Sequence, residues 1–349
     1  MNNHVLEEKN GFVTRPEEKN YSGIEFYLLR MFVNPFRLSW TLIRLGHEPL
    51  SPVRFHSPLA LLGLTTPIYV YPNILYYTYH IIRTHGLWTV LSTGVFASAC
   101  IDFASEIFHR VFQRRSKVWQ SWINLSPDDL NGNDVRTGQC DERPNDDSEE
   151  SGGHRPSAFQ VESQMERARP MVFVRMLIEA ASLKVWEIFL TQPFLVVMVR
   201  QIASVIGGEM QYYWFPMAVI SVCKENGFGG FFQGLVPRLL GELIATVAYF
   251  SACRFIRRGI VGLKRKRTAS LSAAEVLIYF GLRNYVYPFE LTGCIQSVRG
   301  AKLVAAAESN RFSDWRSLER HLTSSGQANR GWFPFFRSHV QPSHLPQVN

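Results

Sequence analysis

Asn34-Pro35-Phe36, Gln192-Pro193-Phe194 and Tyr287-Pro288-Phe289 each close a long apolar segment. A proline late in an apolar helix is tolerated in a membrane, where neighbouring helices satisfy the backbone groups it frees. Three such segments predict an internally repeated membrane protein. Pro193 and Pro288 are 95 residues apart. Pro35 and Pro193 are 158 apart, and a polar loop accounts for most of the excess. Each repeat reads as helix, Pro-Phe, connector, second helix.

The apolar runs predict five spans, at about 24–45, 87–108, 171–199, 235–255 and 273–298. About 20 residues suffice to cross the hydrocarbon core. No long apolar run follows the fifth, so an all-α bundle of about five transmembrane helices is expected, with the sixth missing. The connector after the first span holds Pro49, Pro52, Pro58, Pro67 and Pro72, and its end, Ile74 to Arg83, reads as an interfacial amphipathic helix. Three repeats follow: 22–124, 169–260 and an incomplete 261–349. Residues 1–21 form a polar arm with Glu7, Glu8, Glu17 and Glu18, unlike a signal peptide or an acid-poor presequence, so membrane targeting should be internal. Residues 125–168 are rich in Asp, Glu, Pro, Gly and Ser, and are expected to be a disordered loop.

With 46% hydrophobic and 19% charged residues, the chain is not a disordered one. Its net charge of +8 gathers at Arg114-Arg115-Ser116-Lys117 and Lys264-Arg265-Lys266-Arg267, each shortly after a span. Such clusters read as contacts with membrane lipids. No nucleic-acid motif accompanies the charge. The five scattered cysteines show no CxxC spacing and read as small packing residues. Trp88, Trp119, Trp122 and Tyr76, Tyr77 and Tyr79 read as interface belts. There is no P-loop, dinucleotide glycine pattern, HExxH or GxSxG. Gly227-Phe228-Gly229-Gly230 resembles a phosphate loop only in glycine content. Asp102, Glu106 and His109 have a spacing that suits a metal, but lone polar residues in a groove are commoner. The sequence predicts neither an enzyme nor a cofactor or metal.

The even-numbered spans also recur. Gly227 through Gly234 opens the fourth span, and Gly86 through Gly94 the second. Aligning Gly94 with Gly234 sets Asp102 on Glu242, an acid eight residues on in both. Gly331 through Ser338 takes the same place in the third repeat.

Charged residues inside spans usually face a bundle interior or a water-filled cavity. Residues three, four and seven apart share a helix face. Arg30, Asn34, Arg37, Thr41 and Arg44 form such a stripe on the first span. Ser98, Asp102, Ser105 and His109 do so on the second, with Glu106 at the edge. Arg175, Glu179 and Ser182 align on the third, and Arg238, Glu242, Thr246 and Tyr249 on the fourth. Arg283 and Glu290 lie seven apart on the fifth, with Ser297 beyond. Arg175–Glu179 and Arg238–Glu242 also suit ordinary intrahelical pairs, and Arg30 and Arg44 could snorkel to the head groups. Recurrence on every span favours inward faces lining one groove.

Three Pro-bearing repeats with Gly-aromatic lead-ins resemble the mitochondrial carrier family. Leu42 through Leu50, Gly230 through Glu242 and Phe335-Phe336-Arg337 are similar to its divergent outer-membrane branch, the mitochondrial carrier homologs. Ordinary carriers place an acid two residues and a base five residues after the proline, and these charges gate transport. Here Arg37 and Trp40 follow Pro35, Leu195 and Met198 follow Pro193, and Glu290 and Gly293 follow Pro288. Only Glu290 keeps the pattern, with no matching partner. The resemblance implies an outer-mitochondrial-membrane insertase or docking scaffold for tail-anchored and other α-helical proteins, linked to apoptotic regulators. A lipid scramblase and a solute transporter are the alternatives.

Overall fold

The computed structural model describes residues 23–55, 68–122, 170–261, 268–333, 335 and 337. The polar arm, the acidic loop and the second basic cluster lie outside these residues. Helix α1 spans Gly23–Arg44, and α2 spans Ile74–His85. Between them, β1 (Val53–Phe55) and β2 (Ile68–Val70) pair antiparallel, Val53 opposite Val70. Helices α3 (Leu87–Ser92) and α4 (Val95–Trp122) complete the first repeat. The second repeat holds α5 (Pro170–Gly207), α6 (Phe215–Asn226) and α7 (Leu235–Val261). The third holds α8 (Thr268–Gln296), α9 (Ala307–Asn310) and α10 (Trp315–Ser324).

The chain is mostly helical, as expected, with a carrier-like order of repeats. Among the described residues, three helical stretches are long and apolar enough to cross a membrane: Leu87–Phe112, Phe173–Gly207 and Phe228–Ile256. They coincide with the second, third and fourth expected spans. The first and fifth are helices too, but fall short on mean hydropathy. Arg30, Arg37 and Arg44 crowd α1, and Arg283, Asn284 and Glu290 crowd α8. The second span is also broken at Thr93–Gly94, between α3 and α4.

The prolines sit within the helices, not at their ends. Helix α1 continues to Arg44 past Pro35, α5 to Gly207 past Pro193, and α8 to Gln296 past Pro288. Beyond each proline the helix packs on the connector helix of its own repeat. Leu38, Leu42 and Ile43 of α1 meet Ile74, Tyr77 and Ile81 of α2. Val197 and Ala203 of α5 share a core with Ala218 and Val222 of α6. Leu291 and Ile295 of α8 pack with Leu318 and Leu322 of α10. The halves before the prolines expose Phe32, Ile178, Trp186, Val276 and Leu277, a surface suited to lipid.

The residue before each proline ties its helix to the start of the next long helix. Asn34 is buried, and its amide donates to the carbonyls of Val90 and Thr93, both at 2.8 Å. Gln192 donates to the Gln233 carbonyl at 2.8 Å, and the Tyr287 hydroxyl to the Arg330 carbonyl at 2.6 Å. Each accepting residue, Thr93, Gln233 or Arg330, immediately precedes a glycine with φ of +77°, +74° or +79°. These glycines, Gly94, Gly234 and Gly331, hold the left-handed conformation that other residues rarely adopt. Gly234 is also a contact point, since a Cβ there would lie 2.2 Å from the Gly293 carbonyl oxygen.

This bond corrects two readings. Asn34 is committed to backbone and does not line a groove. Gly331 stands in register with Gly94 and Gly234, not with Gly227, so it marks the point where α4 and α7 begin in the other repeats. Residues 332, 333, 335 and 337 are nevertheless non-helical. Arg337 is buried, ion-paired with Glu48, donates to the Pro72 carbonyl at 3.2 Å and lies over the Tyr71 and Tyr77 rings. Burial lowers its pKa to about 10, so it remains a cation at neutral pH. Arg330 binds the Arg44 carbonyl and the Glu308 carboxylate.

A second hub was not legible in the stripes. Arg200 is fully buried on α5 and donates to Asn226, Gln233 and the carbonyls of Ser297 and Arg299. Its guanidinium is 3.6 Å from Glu225, which accepts a hydrogen bond from Tyr212. Burial and this bond raise the Tyr212 pKa.

Tyr287→Phe should lower stability by roughly 1–3 kcal/mol because it strands a carbonyl, and Gln192→Leu by at least as much, because it also removes the acceptor of the Arg238 guanidinium. Thr191→Val should cost less than about 1 kcal/mol, because its hydroxyl only bonds back along its own helix, to the Glu187 carbonyl. Thermal unfolding in detergent measures all three.

Candidate functional site: the polar helix faces

Helices α1, α4, α5, α7 and α8 pack as neighbours in that order, and their charged side chains meet mostly across helices. Arg30 donates to the Ser98 hydroxyl and ion-pairs with Asp102, joining α1 to α4. The two stripes therefore face each other across the α1–α4 contact. Arg44 lies over the Trp40 ring at 4.9 Å and the Tyr287 ring at 5.2 Å, joining α1 to α8. Thr41 returns its hydroxyl to the Arg37 carbonyl at 2.9 Å and offers no free donor to a groove. Arg37 is half-buried, and its guanidinium has no acceptor among the described residues.

Between α4 and α5 the centre is Glu187. It accepts from Ser105 at 2.8 Å and from Lys184 at 3.1 Å, and lies 3.6 Å from His109. His109 is thus placed on an interhelical contact, as its stripe implied. Glu187 itself escaped the sequence reading. It lies off the Arg175–Glu179–Ser182 line, on a separate line with Lys184 and Thr191. That line was the available signal. The Arg175 stripe is not assembled inward. Arg175 and Ser182 are exposed, and Arg175–Glu179 forms no ion pair among the described residues. Helical periodicity specifies which residues share a face, but packing decides where that face points.

Between α7 and α8 the charges form a bridge. Arg283 reaches Glu242 at 3.1 Å and Glu290 at 2.7 Å. Glu290 therefore has a partner, seven residues back on its own helix. Arg238 does not pair with Glu242 one turn away, and donates instead to Gln192 at 2.8 Å. An interhelical pair is favoured because each charge in a low-dielectric interior needs a close, well-oriented counter-charge. Tyr249 packs edge-on against Tyr279 of α8, at 6.1 Å between ring centres.

Chemically, these faces can hold polar groups inside a bilayer. No group of three or more His, Cys, Asp or Glu poised for a metal occurs among the described residues. Cys100, Cys223, Cys253 and Cys294 form no disulfide among the described residues. Phe228–Phe232 forms a short 3-10 helix leading into α7. Outside the spans, burial and the nearby His85 and His80 lower the His47 pKa.

The mitochondrial carrier protein family matches residues 170–264. Mitochondrial carrier homolog 2 of Bos taurus is 24% identical over 316 residues, covering 88% of this chain and 90% of that protein. Mitochondrial carrier homolog 2 of Homo sapiens is 28% identical over 155 residues, covering 42% of this chain and 50% of that protein. Mitochondrial carrier homolog 1 of Mus musculus is 26% identical over 168 residues, covering 42% and 43%. With the spanning helices, these matches support a membrane protein of the carrier family, in a mitochondrial membrane.

Arg283→Leu should strand both Glu242 and Glu290 and lower stability by roughly 3–5 kcal/mol. Adding Glu242→Gln and Glu290→Gln to it should restore most of that loss. Chemical denaturation in micelles checks both outcomes.

Proposed function

We propose that this chain, which is similar to the mitochondrial carrier homologs, is an outer-membrane insertase and docking scaffold for tail-anchored and other α-helical membrane proteins. One observation carries the proposal. The segment after Gly331, in register with two long helices, runs instead to Glu48. The polar faces of α1 and α8 are then not covered there by a further long helix among the described residues. Polar groups inside a bilayer without such cover form a path for other polar groups. A hydrophilic tail moving beside them avoids much of the cost of crossing hydrocarbon.

The charges speak against solute transport. A carrier gate needs ion pairs between repeats at the positions after each proline. Leu195, Met198, Trp40 and Gly293 cannot supply them, and Glu290 pairs within its own helix. The reading involves no enzymatic step. Surfaces outside the bilayer would serve to dock partners, apoptotic regulators among them.

Purified protein in liposomes should insert a tail-anchored test protein well above empty liposomes. Lipid flipping and solute uptake are measured alongside. Solute uptake without insertion would overturn the proposal.

A further inference from the structure

Of the three arginines on the α1 stripe, two are already engaged. Arg30 is held by Ser98 and Asp102, and Arg44 by the faces of Trp40 and Tyr287. Arg37 lies seven residues from each, on the same face, and is half-buried. No carboxylate, carbonyl or amide oxygen accepts from it among the described residues. Among the described residues the other carboxylates of these helices are assigned: Asp102 to Arg30, Glu106 to Arg110, Glu187 to Lys184, and Glu242 and Glu290 to Arg283. Glu179 has no such partner, but it stands 14 residues before Pro193, whereas Arg37 stands two after Pro35. With the prolines level, the two are about 24 Å apart along the bundle. Glu179 cannot neutralise Arg37.

A guanidinium stays charged and offers a planar fork of donors that fits a carboxylate bidentately. Leaving it half-buried without an acceptor is unfavourable unless water or an anion reaches it. We propose that Arg37 is the specificity point of the groove and binds a carboxylate carried by the polar tail of an incoming polypeptide. The inference rests on the insertase reading above. A single free fork suits one carboxylate. A lipid phosphate site would call on Arg30 and Arg44 as well, and both are committed. The interior therefore selects acidic tails over basic ones.

The test uses full-length protein in neutral phosphatidylcholine liposomes and in liposomes containing phosphatidylserine. Three tail-anchored substrates differ only in tail residues: Asp, Asn or Lys. Wild-type protein should insert the Asp tail about fivefold better than the Lys tail in both lipids, with the Asn tail between. Arg37→Gln should abolish this order, so that the three tails insert to the same extent as one another, and Arg37→Glu should reverse it. Arg37→Lys should keep the direction. Equal insertion of all tails by wild-type protein would overturn the inference and leave the insertase reading intact. An order that persists in Arg37→Gln would overturn it equally. A response to phosphatidylserine that replaces the response to tail charge would assign Arg37 to lipid and overturn it. Failure of wild-type protein to insert even the Asn tail would overturn both. The wild-type tail series needs no variant to fold.

Discussion

The structure depends on one hydrogen bond made three times. The side chain before each helix-internal proline donates to the carbonyl before a left-handed glycine at the start of the next long segment. Asn34, Gln192 and Tyr287 differ in chemistry, yet each reaches the same backbone position, at Thr93, Gln233 and Arg330. The bond fixes the height of one element against the other. It also satisfies a carbonyl where a glycine turn prevents ordinary helical pairing. The third bond matters most. It sets Gly331 where a sixth helix would begin, and Arg337 then shows the chain tied to Glu48 instead.

This register organises the charges. Each long polar contact joins neighbouring helices: Arg30 to Asp102, Ser105 and His109 to Glu187, Arg283 to Glu242. Such pairs offset the cost of burying charge but add little net stability over apolar packing. Their better-supported consequence is alignment, since a charge without its partner is strongly unfavourable. The arrangement consumes nearly every carboxylate and leaves Arg37 over. The bundle keeps a polar interior although the charges after its prolines do not form a ring of pairs.

Much of the fold was legible in the sequence because repetition and apolar length are local properties. The prolines, the Gly94 and Gly234 lead-ins and the long helices could be read from spacing alone. The roles of Asn34, Gln192 and Tyr287 could not, because an amide or phenol shows its partner only after two distant segments dock. Arg200 and Glu187 escaped for the same reason. Arg200 stands alone in an apolar run, and its five partners come from α6, two turns and the end of α8. The stripes of α1 and α4 meet where the helices pack closely, at Arg30 and Asp102, whereas Arg175 stands on the exposed start of α5.

The central claim is that the α1 face is reached by water from within the membrane. Cysteine labelling in liposomes tests it most directly, in protein with its native cysteines replaced. A membrane-impermeant charged maleimide reacts only where water admits the thiolate. Arg37→Cys should label readily, and Phe103→Cys, on the exposed apolar surface of α4, should not. Equal labelling at both positions, or labelling at 103 alone, would contradict the account.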